Sequence, residues 1–325
     1  MALKLRTQNI EKLKDTLSLI SHLRKFIVLR FTESQLAVIL MNSNPVNQEP
    51  QIWCKLRMAS LFDEIEVISN HDNTVPLELN IDLLLQTLRN FDKANSDGLN
   101  IRLQRKDTSG SLGGILNTGR LASLALFYSN TNANNNTVNH TFKIPVRILK
   151  VTHESISLSE PELSRIDLMI GIPNQFVSTY KRLDKFKKAS SNDLVTLKAS
   201  RRSLGFLGFV LEEEGKFKIT ISWNDKLEVQ KPLQNHAIDG ESMRTAVLET
   251  SNKDQIDEND ENEDKEISVK LQDWRNASKI VATCKTVVLL IAHKEACALH
   301  CFLDDSEDVE IIYFISGVKI RDLLD

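Results

Sequence analysis

At 325 residues the chain exceeds what one hydrophobic core comfortably serves, and 41% hydrophobic residues are enough for two packed cores. A mean hydropathy of −0.23 and a longest apolar run of Thr286–Ala292 exclude a helical membrane span, which needs about 20 apolar residues. The net charge of −3 speaks against nucleic acid only until it is located: residues 253–266 hold eight acids and two lysines, and the rest of the chain carries +3. The opening MALKLRTQ lacks the apolar core of a signal peptide, and four cysteines fit no secreted disulfide framework, so a reducing compartment is expected.

Residues 3–8 begin as a short strand. Asn9 is placed to cap a helix over 10–23, with Ile10, Leu13, Leu17 and Ile20 on one stripe. Apolar strands 25–31 and 35–41 meet at a Thr32-Glu33-Ser34 hairpin, and 51–55 and 62–68 continue the meander. The order then repeats. Strand 75–79 leads to Asn80 as cap and a helix over 81–94, with Ile81, Leu84, Leu85, Leu88 and Phe91 inward, before strands 99–106, 121–129 and 141–149. Between these, 108–119 and 130–139 are rich in Gly, Ser and Asn and read as long hairpin loops.

Residues 150–162, with Pro161 and no helical period, read as a connector. A third unit follows: strand 163–172, a break at Pro173 and Asn174, a helix over 175–188, and strands 194–199, 204–211 and 216–223. Residues 228–265 are acidic, lack an apolar pattern and are expected to be disordered. The last unit has strand 267–271, a helix over 273–284 burying Trp274, Ala277, Ile280, Val281 and Cys284, and strands 287–293, 296–303 and 309–315. Four strand–helix–meander units predict an α+β fold of two similar domains, 1–149 and 163–320, each with two helices side by side on antiparallel strands.

Any chemistry belongs on the faces those helices leave exposed. On the third, Phe176, Tyr180 and Leu183 fall on one side and Ser178, Lys181, Arg182, Lys185 and Lys188 roughly opposite. Arg275 and Lys279 point outward on the last helix, and Arg89 and Lys93 on the second. The first helix is weaker, since Lys12 and His22 share its outer side with Glu11 and Asp15. One such face is ordinarily just solvated. Recurrence on equivalent helices, with no aromatic side chain for base stacking, suits phosphate contacts that are salt-sensitive and independent of sequence.

Competing signals are weaker. Cys297, Cys301 and His300 lie on one strand whose side chains alternate, so with Cys284 and His293 they cannot converge on zinc, and buried structural cysteines are expected. The acidic run gives no rigid placement for a metal-dependent nuclease site. GSLGG at 110–114 lacks the Lys-Ser/Thr and helix of a phosphate loop, and Ser34-Gln35, a dipeptide kinases favour, sits in a tight hairpin.

Several strings resemble the fungal form of one checkpoint sliding-clamp subunit, the Hus-one/Mec-three type. They are LRKFIVLRF (23–31), IWCKL (52–56), HTFKIPVRIL (140–149), DWRNASK (273–279) and VVLLIAHKEACALHCFLDDSEDVE (287–310), the last being the most specific. This resemblance implies a fold similar to proliferating-cell nuclear antigen and a non-enzymatic subunit of a heterotrimeric ring in the nucleus, without cofactor or metal. It implies that the helices line the hole, with Lys181, Arg182, Lys185, Lys188, Arg89, Lys93, Arg275, Lys279 and Lys12 toward double-stranded DNA. Two paralogous subunits would pair edge to edge with strands 141–149 (Thr141, Phe142, Ile144, Val146, Ile148) and 216–223 (Lys216, Phe217, Ile219, Ile221). Partner peptides would dock on the connector, an ATP-dependent loader would open the ring, and checkpoint kinase and repair factors would be recruited. Two other readings stay open: a homotrimeric replication clamp, and a metal-dependent nuclease using the acidic residues.

Overall fold

The computed structural model describes residues 1–40, 49–70, 72–91, 94, 96–105, 120–131, 136–149, 160–186, 193–201, 205–213, 215–223, 225–227, 229–230 and 264–318. The loop expected at 108–119, nearly all of the connector and of the acidic segment, and Lys93 and Lys188 lie outside the described residues. The chain divides into two units, Met1–Met41 with Trp53–Glu160, and Asn42–Ile52 with Pro161–Asp325.

The first unit contains β1 (Ala2–Thr7), α1 (Glu11–Ile20), β2 (Phe26–Phe31), β3 (Gln35–Leu40), β4 (Gln51–Arg57), the single turn α2 (Met58–Leu61), β5 (Glu64–Ile68), β6 (Val75–Asn80), α3 (Ile81–Arg89), β7 (Leu99–Arg105), β8 (Arg120–Thr131) and β9 (Thr137–Ile148). Its strands run β4-β3-β2-β6-β9-β8-β7-β1-β5. Ile27, Leu29 and Phe31 of β2 pair with Leu79, Leu77 and Val75 of β6, and all six are buried. Period-2 alternation puts them on one face. Helices α1 and α3 lie side by side, the first burying Leu13, Leu17 and Ile20 and the second Leu84, Leu85 and Leu88.

The second unit contains β10 (Leu168–Gly171), a 3₁₀ turn (Asn174–Phe176), α4 (Val177–Asp184), β11 (Leu194–Ser200), β12 (Phe206–Glu213), β13 (Phe217–Ser222), β14 (Val229–Gln230), β15 (Lys265–Lys270), α5 (Leu271–Val281), β16 (Thr286–Ala292), β17 (Ala296–Phe302) and β18 (Val309–Ser316). Strands order as β14-β10-β16-β17-β18 and β13-β12-β11-β15. Helices α4 and α5 again lie side by side. Beneath them Phe209 meets Trp274 edge-on at 5.1 Å and Phe176 at 5.4 Å, and all three rings are buried. Removing one such ring costs about 3–5 kcal/mol, so this cluster fixes where the two helices sit.

Differences from the sequence expectation are local. Helices α1, α3 and α4 stop three to five residues early, and α5 spans Leu271–Val281, not 273–284, with Asp273 in its first turn. Asn9 does reach the Glu11 N–H, at 3.2 Å, although the cap position falls on Ile10. Both ends of the Asn-rich stretch 130–139 are strand, at 130–131 and 137–139: β8 and β9 stay in register to Thr131↔Thr137, and Ser129 bonds Asn139 at 2.7 Å. Polar residues on both faces of an exposed ribbon look like a loop in the sequence. The strand expected over 163–172 shrinks to Leu168–Gly171, since Asp167 turns its carboxylate to the His293 N–H at 2.7 Å. Lys216 belongs to a turn, not to the strand, because Gly215 at φ +73° reverses the chain and Lys216 N–H closes onto Glu213 O at 3.0 Å. Among the described residues no helix is long and apolar enough to cross a membrane.

Candidate functional site

Four sectors divide the surface of α4 by its ~100° step. Phe176, Thr179, Tyr180 and Leu183 are buried beneath it. Asp184 turns toward α5, where it meets Arg275 at 4.0 Å and accepts from the Tyr180 hydroxyl at 3.5 Å. Burial pushes the Tyr180 phenol well above its ordinary value, and the Asp184 charge adds to this. Ser178 and Lys181 point outward, and Arg182, Lys185 and Phe186 turn toward β13. Lys181, Arg182 and Lys185 are exposed and have no ion-pair partner among the described residues. Arg275 and Lys279 are exposed on the neighbouring α5. The structure therefore gathers five expected cations on one helix pair.

The first unit differs. Arg89 is exposed in the last turn of α3, but Asp82 stands in the first turn. Lys12 is half-buried on α1, where Glu11 and Asp15 are exposed and Lys14 is tied to Glu11 at 2.6 Å. Positive charge is concentrated on α4 and α5, and the α1–α3 pair is close to neutral.

Each unit also leaves a strand edge open. In β9 the Leu149 N–H that follows it reaches Pro76 O at 3.1 Å, so the N–H groups of Lys143, Thr141 and Asn139 face the same side. Pairing with β6 covers only Val146–Ile148, and Pro145, which has no N–H, sits where it ends. Along the open stretch Thr141 is exposed, Phe142 is half-buried and Ile144 is buried, whereas Val146 and Ile148, expected on the same edge, lie in the part that β6 covers. Strand β13 ends its sheet. Trp223 N–H reaches Leu207 O at 2.9 Å, so alternation turns the N–H groups of Ser222, Thr220 and Lys218 outward. Phe217, Ile219 and Ile221 are half-buried on its other face, and Lys216 is exposed in the turn before it.

A cleft accompanies each edge. Beside β9, Leu83, Gln86, Thr87 and Asn90 of α3 and its end face Thr141–Ile144 across about 360 Å³. Beside β13, Arg182, Lys185 and Phe186 face Thr220, Ile221 and Ser222 across about 560 Å³. Leu83 and Phe186 are 43% and 40% exposed, unusual for residues of their size. Sequence reasoning passed over both. Leu83 had a signal, being the leucine of Leu83-Leu84-Leu85 that falls off the buried stripe, and Pro145 inside an apolar strand marked an edge.

The cysteines and histidines settle elsewhere. Cys54, Cys284, Cys297 and Cys301 are buried thiols, none of them in a disulfide, and burial pushes Cys297 up to about 12. On β17 the His300 Nδ1 pairs with Glu310 Oε1 of β18 at 2.7 Å, both side chains buried. His293 Nδ1 accepts the Glu266 N–H at 3.0 Å. Among the described residues no cluster of His, Cys, Asp or Glu is arranged to hold a metal ion.

Comparison with known proteins follows the same lines. The Hus1-like protein family profile matches residues 1–319. The chain is similar to the DNA damage checkpoint control protein MEC3 of Eremothecium gossypii, 24% identical over 94% of this chain and 95% of that protein. It is similar to checkpoint protein hus1 of Schizosaccharomyces pombe, 24% identical over 97% and 99%. In fold it resembles the proliferating cellular nuclear antigen of Entamoeba histolytica, with a TM-score of 0.59 and 12% identity over 98% and 99% of the two chains. The paired helices, the open edges and a match over nearly its whole length agree: the chain belongs to the Hus1-like protein family.

Proposed function

We propose that this chain is one subunit of a heterotrimeric checkpoint clamp that encircles double-stranded DNA at damage sites in the nucleus. The clamp serves as a platform for checkpoint kinase activation and DNA repair. Residues 1–149 and 163–320 are its two clamp domains, 150–162 the connector where partner peptides dock, and 228–265 an acidic insertion.

The observation that carries this reading is the pair of unlike open edges on a single chain, β9 and β13, each beside a clefted helix. Unlike edges join head to tail, and such interfaces close into rings when the rotation permits. Each junction adds a strand to a sheet, satisfying the outward N–H groups of Thr141 and Lys143 on one side and of Lys218 and Thr220 on the other. Half-buried Phe142, Phe217, Ile219 and Ile221 complete their burial there. The work of the ring is topological, not catalytic. Lys181, Arg275 and Lys279, aided by Arg89 and Lys12, make weak phosphate contacts that permit sliding, while closure prevents escape. An ATP-dependent loader opens the ring.

The test is retention on DNA. Loaded with its two neighbours onto nicked circular DNA, the subunit stays bound through a moderate-salt wash and is released when the circle is linearised. Equal loss before and after linearisation contradicts encirclement.

A further inference from the structure

The two clefts are not interchangeable. The β13 cleft presents the cations Arg182 and Lys185 beside exposed Phe186, with the hydroxyls of Thr220 and Ser222, and none of its lining residues is a carboxylate. In the β9 cleft are Leu83, Gln86, Thr87, Asn90, Thr141, Phe142, Ile144 and the cation Lys143, again with no carboxylate among them. Joining two copies of this chain would set Leu83 against Phe186 favourably. It would also add the cation Lys143 and leave Arg182 without a counter-charge in a surface being stripped of water, whereas Lys218 already has Glu212 at 2.7 Å. Charges brought together at an interface without compensation cost affinity and suppress wrong partners.

We infer that the β13 edge is a docking site for a different chain, whose edge strand and adjoining helix place at least one carboxylate opposite Arg182. A second copy of this chain is refused there because its own β9 cleft lacks that carboxylate. The inference rests on the ring reading above and assigns Arg182, with Phe186, to partner recognition instead of the phosphate track. Helical geometry supports the reassignment. Arg182 and Phe186, four residues apart, share the sector facing β13, whereas Lys181 points away from it. The neighbour at β9, by contrast, meets amides and Leu83, and needs an apolar contact more than an acid.

The purified full chain tests this by itself, because the missing carboxylates can be installed. Sedimentation equilibrium is measured in low salt for the wild type, for Gln86→Glu with Lys143→Glu, and for that pair combined with Arg182→Glu or with Thr220→Pro. Gln86 and Lys143 are exposed. The Thr220 N–H faces the open edge, so a proline there spares the β12 ladder. The wild type is expected to stay monomeric. The carboxylate pair strengthens self-association at least tenfold, and both Arg182→Glu and Thr220→Pro abolish the gain. No gain from the carboxylates, a gain that survives Arg182→Glu, or a wild type that associates equally well overturns the inference. A gain that survives Thr220→Pro places the contact away from β13 and overturns it too. The ring reading itself is judged separately, by retention on circular DNA, and stands if that succeeds while the charge swap fails.

Discussion

Asp184 of α4 and Arg275 of α5 approach to 4.0 Å, so one cation of the expected phosphate track is shared with a neighbouring carboxylate. Lys181 and Lys279 have no such partner among the described residues. Their charge is the more available to DNA.

Reversal of Lys181 and Lys279 to Glu should therefore weaken DNA retention more than reversal of Arg275 alone. Each phosphate that a side chain no longer neutralises lowers the log–log salt slope by roughly 0.9, so the double reversal should remove close to two units. Retention measured across a salt series checks this. Reversal of Arg89, on the nearly neutral first-unit pair, should change the slope by less than a single phosphate would.

Leu83 contributes little to the isolated fold because it is exposed. Leu83→Asp should shift urea unfolding by no more than about 0.5 kcal/mol, as surface changes do. It should nonetheless weaken assembly with the β9-side neighbour at least tenfold. A stability loss comparable to that of Leu84→Ala, a buried position, would show instead that Leu83 belongs to the core.

The His300–Glu310 pair spans β17 and β18 inside the second unit. Glu310→Ala leaves a buried imidazole without this partner and should cost about 3 kcal/mol in urea unfolding. Replacing both residues by leucine should recover much of that loss, because the desolvation of both groups disappears together. If the double variant is as unstable as the single, the pair is worth more than its burial costs.

Asp273 sits in the first turn of α5, and burial raises its carboxyl to about 6, with Lys270 opposing and nearby Asp193 adding. An acid with a raised folded pKa binds its proton more tightly when folded. Stability should thus fall as pH rises from about 4 to about 6. Asp273→Asn should stabilise at pH 7 by about 1–2 kcal/mol after allowance for partial exposure, and change little at pH 4. Unfolding titrations at the two pH values distinguish this from a gain that is independent of pH.

The fold was legible because it is written in periods. Leu13, Leu17 and Ile20, and again Leu84, Leu85 and Leu88, recur at helical spacing, and the strands around them are dense in β-branched and aromatic residues. Lys181, Arg182, Lys185, Arg275 and Lys279 were legible as exposed for the same reason. Helix ends were not, since the last turns lose their stripe before they lose their polar residues. The outer end of the β8–β9 ribbon was hidden because Asn130, Thr131, Thr137 and Asn139 are loop-like in composition and are held by pairing partners that a local window does not see. The clefts were hidden because they join residues of α3 to β9 and of α4 to β13, tens of positions apart. Only tertiary pairing reveals that Arg182 faces a strand edge while Lys181, its immediate neighbour, does not.

The most direct test of the central claim is the native mass and composition of the complex purified from the protein's own cells. One copy of this chain with two different clamp-like neighbours is the predicted result. Three copies of this chain would mean a homotrimeric clamp of the replication type, and a monomer with neither neighbour would contradict the ring.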